Sequence, residues 1–128
     1  MIREKLIYEQ IQLAKAQGKK LLAILLDPDK IDWNTFDFLI SKIEDSPATH
    51  LLIGGSHVFS NKIDEIIIHF KKQCDLPVIL FPGNPSQIST HADGILFLSL
   101  LSGRNPDFLI GHQTKAAPLL KASKLEII

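Results

Sequence analysis

Apolar residues in this chain alternate between short unbroken runs and longer stretches spaced by three and four. From Ile2 to Gln17 they fall at Leu6, Ile7, Tyr8, Ile11, Leu13 and Ala14, the spacing of an amphipathic helix. Gly18 reads as its C-terminal stop, and Lys15, Lys19 and Lys20 suit the negative end of the helix dipole. Leu21 to Leu26 is a continuous apolar run ended by Asp27-Pro28, as expected of a parallel strand buried on both faces. A helix follows over Asn34 to Ser46, with Phe36, Leu39, Ile40 and Ile43 inward and Asp32 or Asn34 as cap. Thr49 to Ile53 reads as a second strand, stopped by Gly54-Gly55-Ser56. Asn61 to Gln73 reads as a helix with Ile63, Ile66, Ile67 and Phe70 on one face and Ser60 or Asn61 as cap. Val78 to Phe81 is a third strand before Pro82-Gly83, and Asp93 to Leu98 holds a fourth. Asn105-Pro106 opens another helix, with Asn as cap and Pro in the first turn, and Pro118 is expected to break or kink it. Leu125 to Ile128 resembles the start of a fifth strand.

Strands alternating with helices imply crossover connections and a parallel sheet. The first three strands recur about every 28 residues, the length of one strand–helix unit. The shorter gap before the fourth strand leaves room for a turn or two of helix at Pro85 to His91, or none. Two architectures accommodate this order: a doubly wound open sheet and a (β/α)₈ barrel. The open-sheet nucleotide fold places a glycine-rich phosphate loop after its first strand. That position here holds Asp27-Pro28-Asp29, which repels phosphate unless a cation intervenes. A barrel spreads its chemistry over several strand ends, but needs about 250 residues. On that reading the 128 residues are a single partial domain, the N-terminal half of a barrel with its first four to five βα units.

Composition narrows the setting. Hydrophobic residues make up 45% of the chain and charged residues 22%, an ordinary globular balance. The formal net charge is zero, so no broad basic face for nucleic acid is expected. The single cysteine, Cys74, excludes an internal disulfide and is expected to serve packing. Charges interrupt the N-terminus at once, unlike a secretory signal, and no apolar run approaches the roughly 20 residues of a membrane helix. The expected setting is the cytoplasm.

Candidate chemistry follows the strands. Asp27, aimed by Pro28 out of the first strand, offers a carboxylate to Mg²⁺, a hard cation that keeps phosphate as co-ligand. The competing reading is a turn with a helix cap. Gly54-Gly55-Ser56 allows close backbone approach and presents a hydroxyl to phosphate or metal, or is only a tight turn. Phe81-Pro82-Gly83-Asn84-Pro85 reads as a rigid wall. Arg104 can hold an anion at a helix N-terminus or be a solvated loop arginine. The five histidines show no ligand spacing and read as structural or surface residues.

Taken in order, Leu26-Asp27-Pro28-Asp29-Lys30, Ile53-Gly54-Gly55-Ser56, Ala92-Asp93-Gly94-Ile95-Leu96-Phe97 and Ser102-Gly103-Arg104-Asn105-Pro106 with Leu109-Ile110-Gly111 resemble the geranylgeranylglyceryl phosphate synthase (PcrB-like) family over nearly the whole chain. The resemblance implies a (β/α)₈ TIM-type barrel that joins a polyprenyl diphosphate to sn-glycerol 1-phosphate, forming an ether lipid precursor, and a homo-oligomer. It also implies that Asp27 and Ser56 hold the Mg²⁺. Some members carry a lysine two residues before that aspartate; Leu25 stands here, so that contact is not assigned. The family's glycerol-phosphate site and its Tyr/Glu motif follow the fifth strand, so no catalytic base is expected within these residues. Gly54, Gly55, Phe81, Leu98, Leu101 and Arg104 are the expected substrate contacts, with the polyprenyl chain passing Phe81, Pro82, Leu98 and Leu101. The rival readings are another phosphate-handling barrel enzyme, such as an aldolase or flavin enzyme, and a non-catalytic half-barrel that only folds and associates.

Overall fold

The computed structural model describes residues 6–55, 62–83, 87–99 and 101–128. Helix α1 (Leu6–Ala16) leads into β1 (Ala23–Leu26), α2 (Phe36–Glu44), β2 (His50–Gly55), α3 (Ile63–Lys71), β3 (Val78–Pro82), β4 (Gly94–Ile95), α4 (His112–Ser123) and β5 (Glu126–Ile127). All five strands are parallel and neighbour one another in sequence order, β1-β2-β3-β4-β5. A doubly wound sheet reverses its strand order at a switch point, whereas this sheet winds in one direction as a barrel does. That order decides between the two architectures.

Register explains the core. Leu26, Ile53, Leu80 and Ile95 lie opposite one another across four strands, and Leu51 lies opposite Val78 one layer below. All six join one buried cluster with Phe36, Ile40 and Ile43 of α2 and Ile63, Ile66, Ile67 and Phe70 of α3. The intervening residues of each strand face the other side of the sheet. There Leu25 is 50% exposed, so β1 is buried on one face rather than both. The expected two-sided burial fails because the described helices α2 and α3 pack on one side only. On the other side, a Cβ placed on Gly94 would lie 3.1 Å from Ile7 Cδ1 of α1 and 3.4 Å from Ile128 Cδ1.

Two polar devices attach α1. The N–H groups of Ile7 and Tyr8 donate to the two carboxylate oxygens of the buried Glu126, at 2.8 and 2.9 Å. First-turn amides have no partner within their own helix, and a carboxylate there also favours the helix dipole. At the other end Gly18, at φ +67°, closes the helix, with its N–H on the Lys15 carbonyl and that of Lys19 on the Ala14 carbonyl. This is the paired C-terminal motif that glycine makes possible.

Most predicted elements appear with trimmed ends. α1 starts at Leu6 among the described residues, β1 is shorter than Leu21 to Leu26, and β4 keeps two of the six residues expected. Asp32 closes a turn ahead of α2, accepting from the Asn34 N–H at 2.9 Å, while Thr35 occupies the cap position itself. The expected α3 caps, Ser60 and Asn61, lie outside the described residues. Asn105 does accept from the Asp107 N–H, but the first turn after it is a π-helical segment, Asp107–Gly111. Pro118 does not break the next helix, because α4 continues through it to Ser123. A proline in the interior removes one N–H bond, and the turns on either side sustain the helix across that gap.

Two tests follow from the fold. Among the described residues, the half-exposed Leu25 side of the sheet and the exposed Phe97, Leu98 and Leu101 leave apolar surface uncovered. Covering such surface is worth roughly 25 cal/mol per Å². Sedimentation of the isolated 128-residue chain at micromolar concentration should therefore show dimers or larger species. A sharp monomer that ignores a hydrophobic dye would argue for a self-contained sheet. Second, His50 opens β2 at 7% exposure with Nδ1 2.8 Å from the Thr49 hydroxyl, and burial lowers its pKa from the ordinary 6.5. The unfolded chain then takes up a proton that the folded chain refuses, so stability present above about pH 6.5 declines as pH falls below it. Denaturant titrations between about pH 7 and 5 should show this slope, reduced in His50→Gln. An equal slope in the variant would place the effect elsewhere.

Candidate active site

Parallel strands bring their C-terminal ends to one edge of the sheet. Asp27 follows β1 there, one residue beyond the Leu26–Ile53 pair, and so stands at the level of Gly54 on the neighbouring strand. Its Oδ1 accepts the Asp29 N–H at 3.0 Å and its backbone carbonyl accepts the Lys30 N–H, forming the short turn Pro28–Lys30. Its Oδ2 faces Lys30 Nζ at 3.8 Å, from a lysine side chain that is almost fully exposed. The turn-cap reading of Asp27 is therefore realised, and it uses one carboxylate oxygen.

Gly54 and Gly55 end β2 and pair with Phe81 and Pro82, which end β3. Gly54 adopts φ +139°, a region that side chains rarely enter. A Cβ there would lie 2.1 Å from the Phe81 carbonyl oxygen, so the two strand ends meet backbone to backbone. From the segment after β3, Gln87 reaches under this junction and its Nε2 donates to the Gly55 carbonyl at 3.1 Å. The sheet thus brings Asp27, Gly54, Gly55 and Phe81 to one edge. Ser56 lies outside the described residues.

Beyond β4 the backbone stays tied to its neighbours: the Leu96 N–H donates to the Leu80 carbonyl and that of Phe97 to the Ile128 carbonyl. Leu98 is exposed, and its carbonyl accepts from Gln113 Nε2, which also donates to Phe108 at 3.1 Å. Leu101 is 83% exposed. Leu109 and Ile110 of the π-helical segment are exposed as well. Arg104 is an exposed loop residue ahead of that segment.

The donor set fits a hard cation bound with a phosphate. Among the described residues no group of three or more His, Cys, Asp or Glu gathers into an all-protein metal cage. Mg²⁺ uses one or two carboxylates and takes its remaining oxygens from phosphate and water. Asp27 Oδ2, with only a long and exposed lysine contact, offers one such oxygen.

Sequence reasoning missed Gln87, Gln113 and Glu126, whose partners are 32, 15 and 119 residues away. A lone glutamine or glutamate carries no periodicity or motif that reveals so distant a contact. The histidine reading fits the described residues: His50 is buried, His69 bonds Asp37 at 2.6 Å on the outer helices, and His112 packs against Phe108. His57 lies outside the described residues. Cys74 is buried as expected.

A sequence profile of the PcrB family matches residues 14–128. The geranylgeranylglyceryl phosphate synthase of Flavobacterium johnsoniae is 60% identical over 122 residues, 95% of this chain and 50% of that protein. The protein of the same name from Chitinophaga pinensis is 45% identical over 122 residues, 95% of this chain and 48% of that one. Among solved structures, (S)-3-O-geranylgeranylglyceryl phosphate synthase from Thermoplasma acidophilum, in complex with its substrate sn-glycerol-1-phosphate, superposes with a TM-score of 0.82 at 35% identity. The match covers 93% of this chain and 49% of that chain. The five-stranded sheet is therefore of the TIM-type barrel class. The chain spans about half the length of the curated relatives it matches.

The close contact at Gly54 yields a stability test. Gly54→Ala should destabilise the protein by about 2–4 kcal/mol, through clash with the Phe81 carbonyl and an unfavourable φ. Thermal or denaturant melts measure this, and parental stability would mean that the β2 and β3 ends separate freely.

Proposed function

This chain belongs to the PcrB family, and from that premise we propose that it supplies the N-terminal half of a Mg²⁺-dependent prenyltransferase. The reaction joins a polyprenyl diphosphate of the geranylgeranyl type to sn-glycerol 1-phosphate. The bond between the allylic carbon and the diphosphate breaks, and diphosphate leaves with the electron pair. The glycerol hydroxyl oxygen takes its place on that carbon and loses its proton. The observation that carries the reading is 60% identity, over 95% of this chain, to a protein named geranylgeranylglyceryl phosphate synthase.

The strand ends support the assignment of parts. Asp27 and Ser56 would hold Mg²⁺, which neutralises charge on the leaving diphosphate. Gly54 and Gly55 leave the backbone open to approach. Asp27 is held by the Asp29 N–H before any ligand arrives, so little side-chain freedom is lost when the ion binds. Phe81, Leu98 and Leu101 would supply apolar contacts for the polyprenyl chain, and Arg104 would be an anion contact. No helix among the described residues is long and apolar enough to cross a membrane. A cytoplasmic homo-oligomer that takes its lipid substrate from solution or from a membrane surface fits this reading.

The test uses a complete enzyme, for instance this chain continued by the second half of the Flavobacterium johnsoniae relative. With geranylgeranyl diphosphate, sn-glycerol 1-phosphate and Mg²⁺ it should form the ether product, detected by mass spectrometry, and Asp27→Ala should slow it by about 10²–10³-fold. No product from polyprenyl diphosphates of any length would overturn the function. An unchanged rate in Asp27→Ala would overturn the site.

A further inference from the structure

Gln87 is buried to 1% exposure at the junction of the β2 and β3 ends. Its Nε2 donates to the Gly55 carbonyl, while its Oε1 has no hydrogen-bond partner among the described residues. Rotating the amide would set Oε1 against the Gly55 carbonyl, oxygen to oxygen, so the Gly55 bond fixes the orientation. A Cβ on Gly54 would lie 3.1 Å from the same Oε1, so the glutamine also touches the backbone that faces Phe81. A buried amide with one bond made and its acceptor orphaned is a poor stabiliser, and a leucine or methionine would fill the same space without the orphaned Oε1, at the cost of the Gly55 carbonyl's donor. The orphaned acceptor is therefore not explained by stability, whereas a hold on the Gly55 carbonyl accounts for the amide.

We infer that Gln87 is a positioning residue for the cation–diphosphate site. It holds the carbonyl of the last residue of β2, where Gly54 and Phe81 meet backbone to backbone. This fixes the end of β2 at the sheet edge where Asp27 follows β1. The inference rests on the functional reading above and extends it to a residue on a third segment. Residues behind a metal site typically change its affinity 10–100-fold when replaced.

The experiment measures Mn²⁺ binding by electron paramagnetic resonance in the presence of inorganic diphosphate, together with hydrogen exchange of the backbone near Gly55 and the melting temperature. Gln87→Leu should weaken Mn²⁺ about tenfold and speed exchange near Gly55, with the melting temperature close to parental because the lost Gly55 bond and the removed orphan offset one another. Gln87→Glu, which sets a carboxylate oxygen against the Gly55 carbonyl, should weaken Mn²⁺ at least as much. Parental Mn²⁺ affinity in both variants, or weakened binding that only follows a fall in melting temperature, would overturn the positioning role. Asp27→Ala separates the two claims. If it binds Mn²⁺ as the parent does, the metal reading fails, and exchange near Gly55 then decides the role of Gln87, with unchanged exchange in Gln87→Leu overturning it.

Discussion

The fold turns on one row of side chains, Leu26, Ile53, Leu80 and Ile95, opposite one another across four parallel strands. Each is buried on the side covered by α2 and α3, and a fully buried aliphatic side chain of this size contributes about 1.5–3 kcal/mol. A slip of one residue in any strand would turn its member of the row to the opposite face, so the row fixes register. Parallel pairing in turn demands a crossover between strands, and helices α2 and α3 supply it while covering the row. Because all strands then point the same way, Asp27, the Gly54-Gly55 pair and Phe81 end at a common edge. The site is a geometric consequence of how the core is buried.

The parts of this arrangement that repeat locally were legible in the sequence. Unbroken apolar runs announced the strands, the three-and-four spacing announced the helices, and Gly18 announced the end of α1. The parts set by distant contacts were hidden. β4 reads as six residues of strand, yet only Gly94 and Ile95 form paired strand, with single backbone bonds continuing at Asp93, Leu96 and Phe97. Leu22 and Leu25 read as doubly buried because apolarity reports a preference for burial and cannot say what will cover a face; both are exposed here. Pro118 reads as a breaker, and α4 absorbs it. Of the candidate site, the placement of Asp27 and the glycine pair at strand ends was legible because proline and glycine constrain the backbone visibly. Gln87 was not, since what makes it notable is a bond to Gly55 across 32 residues.

Charged and amide groups in this protein act mainly as fasteners between segments that the hydrophobic row leaves untied. Glu126 holds the first turn of α1 to β5. Asp93 accepts from Lys71 Nζ at 2.7 Å and from the Val78 N–H at 2.8 Å, tying the start of β3 to the approach to β4. Gln113 joins the segment after β4 to the π-helical turn. Each satisfies backbone groups that sheet or helix hydrogen bonding has left over, where an unpaired buried group would be costly. Such fasteners need exact partners in space and none in sequence, which is why they mark the places where local patterns say least.

Asp27 shows how a turn residue can leave room for the metal role proposed above. The turn cap and the proposed metal ligand would use different atoms of the side chain. Oδ1 is committed to the Asp29 N–H, and Pro28 restricts the backbone between them. Oδ2 keeps only a 3.8 Å contact to a lysine whose side chain is 84% exposed. Surface pairs of that kind contribute little, so a divalent ion with a phosphate co-ligand would displace the lysine at small cost. On the proposed function, the bond that makes Asp27 a turn residue would also make it a better ligand. It would hold the carboxylate in one orientation before an ion arrives and leave Oδ2 to receive it.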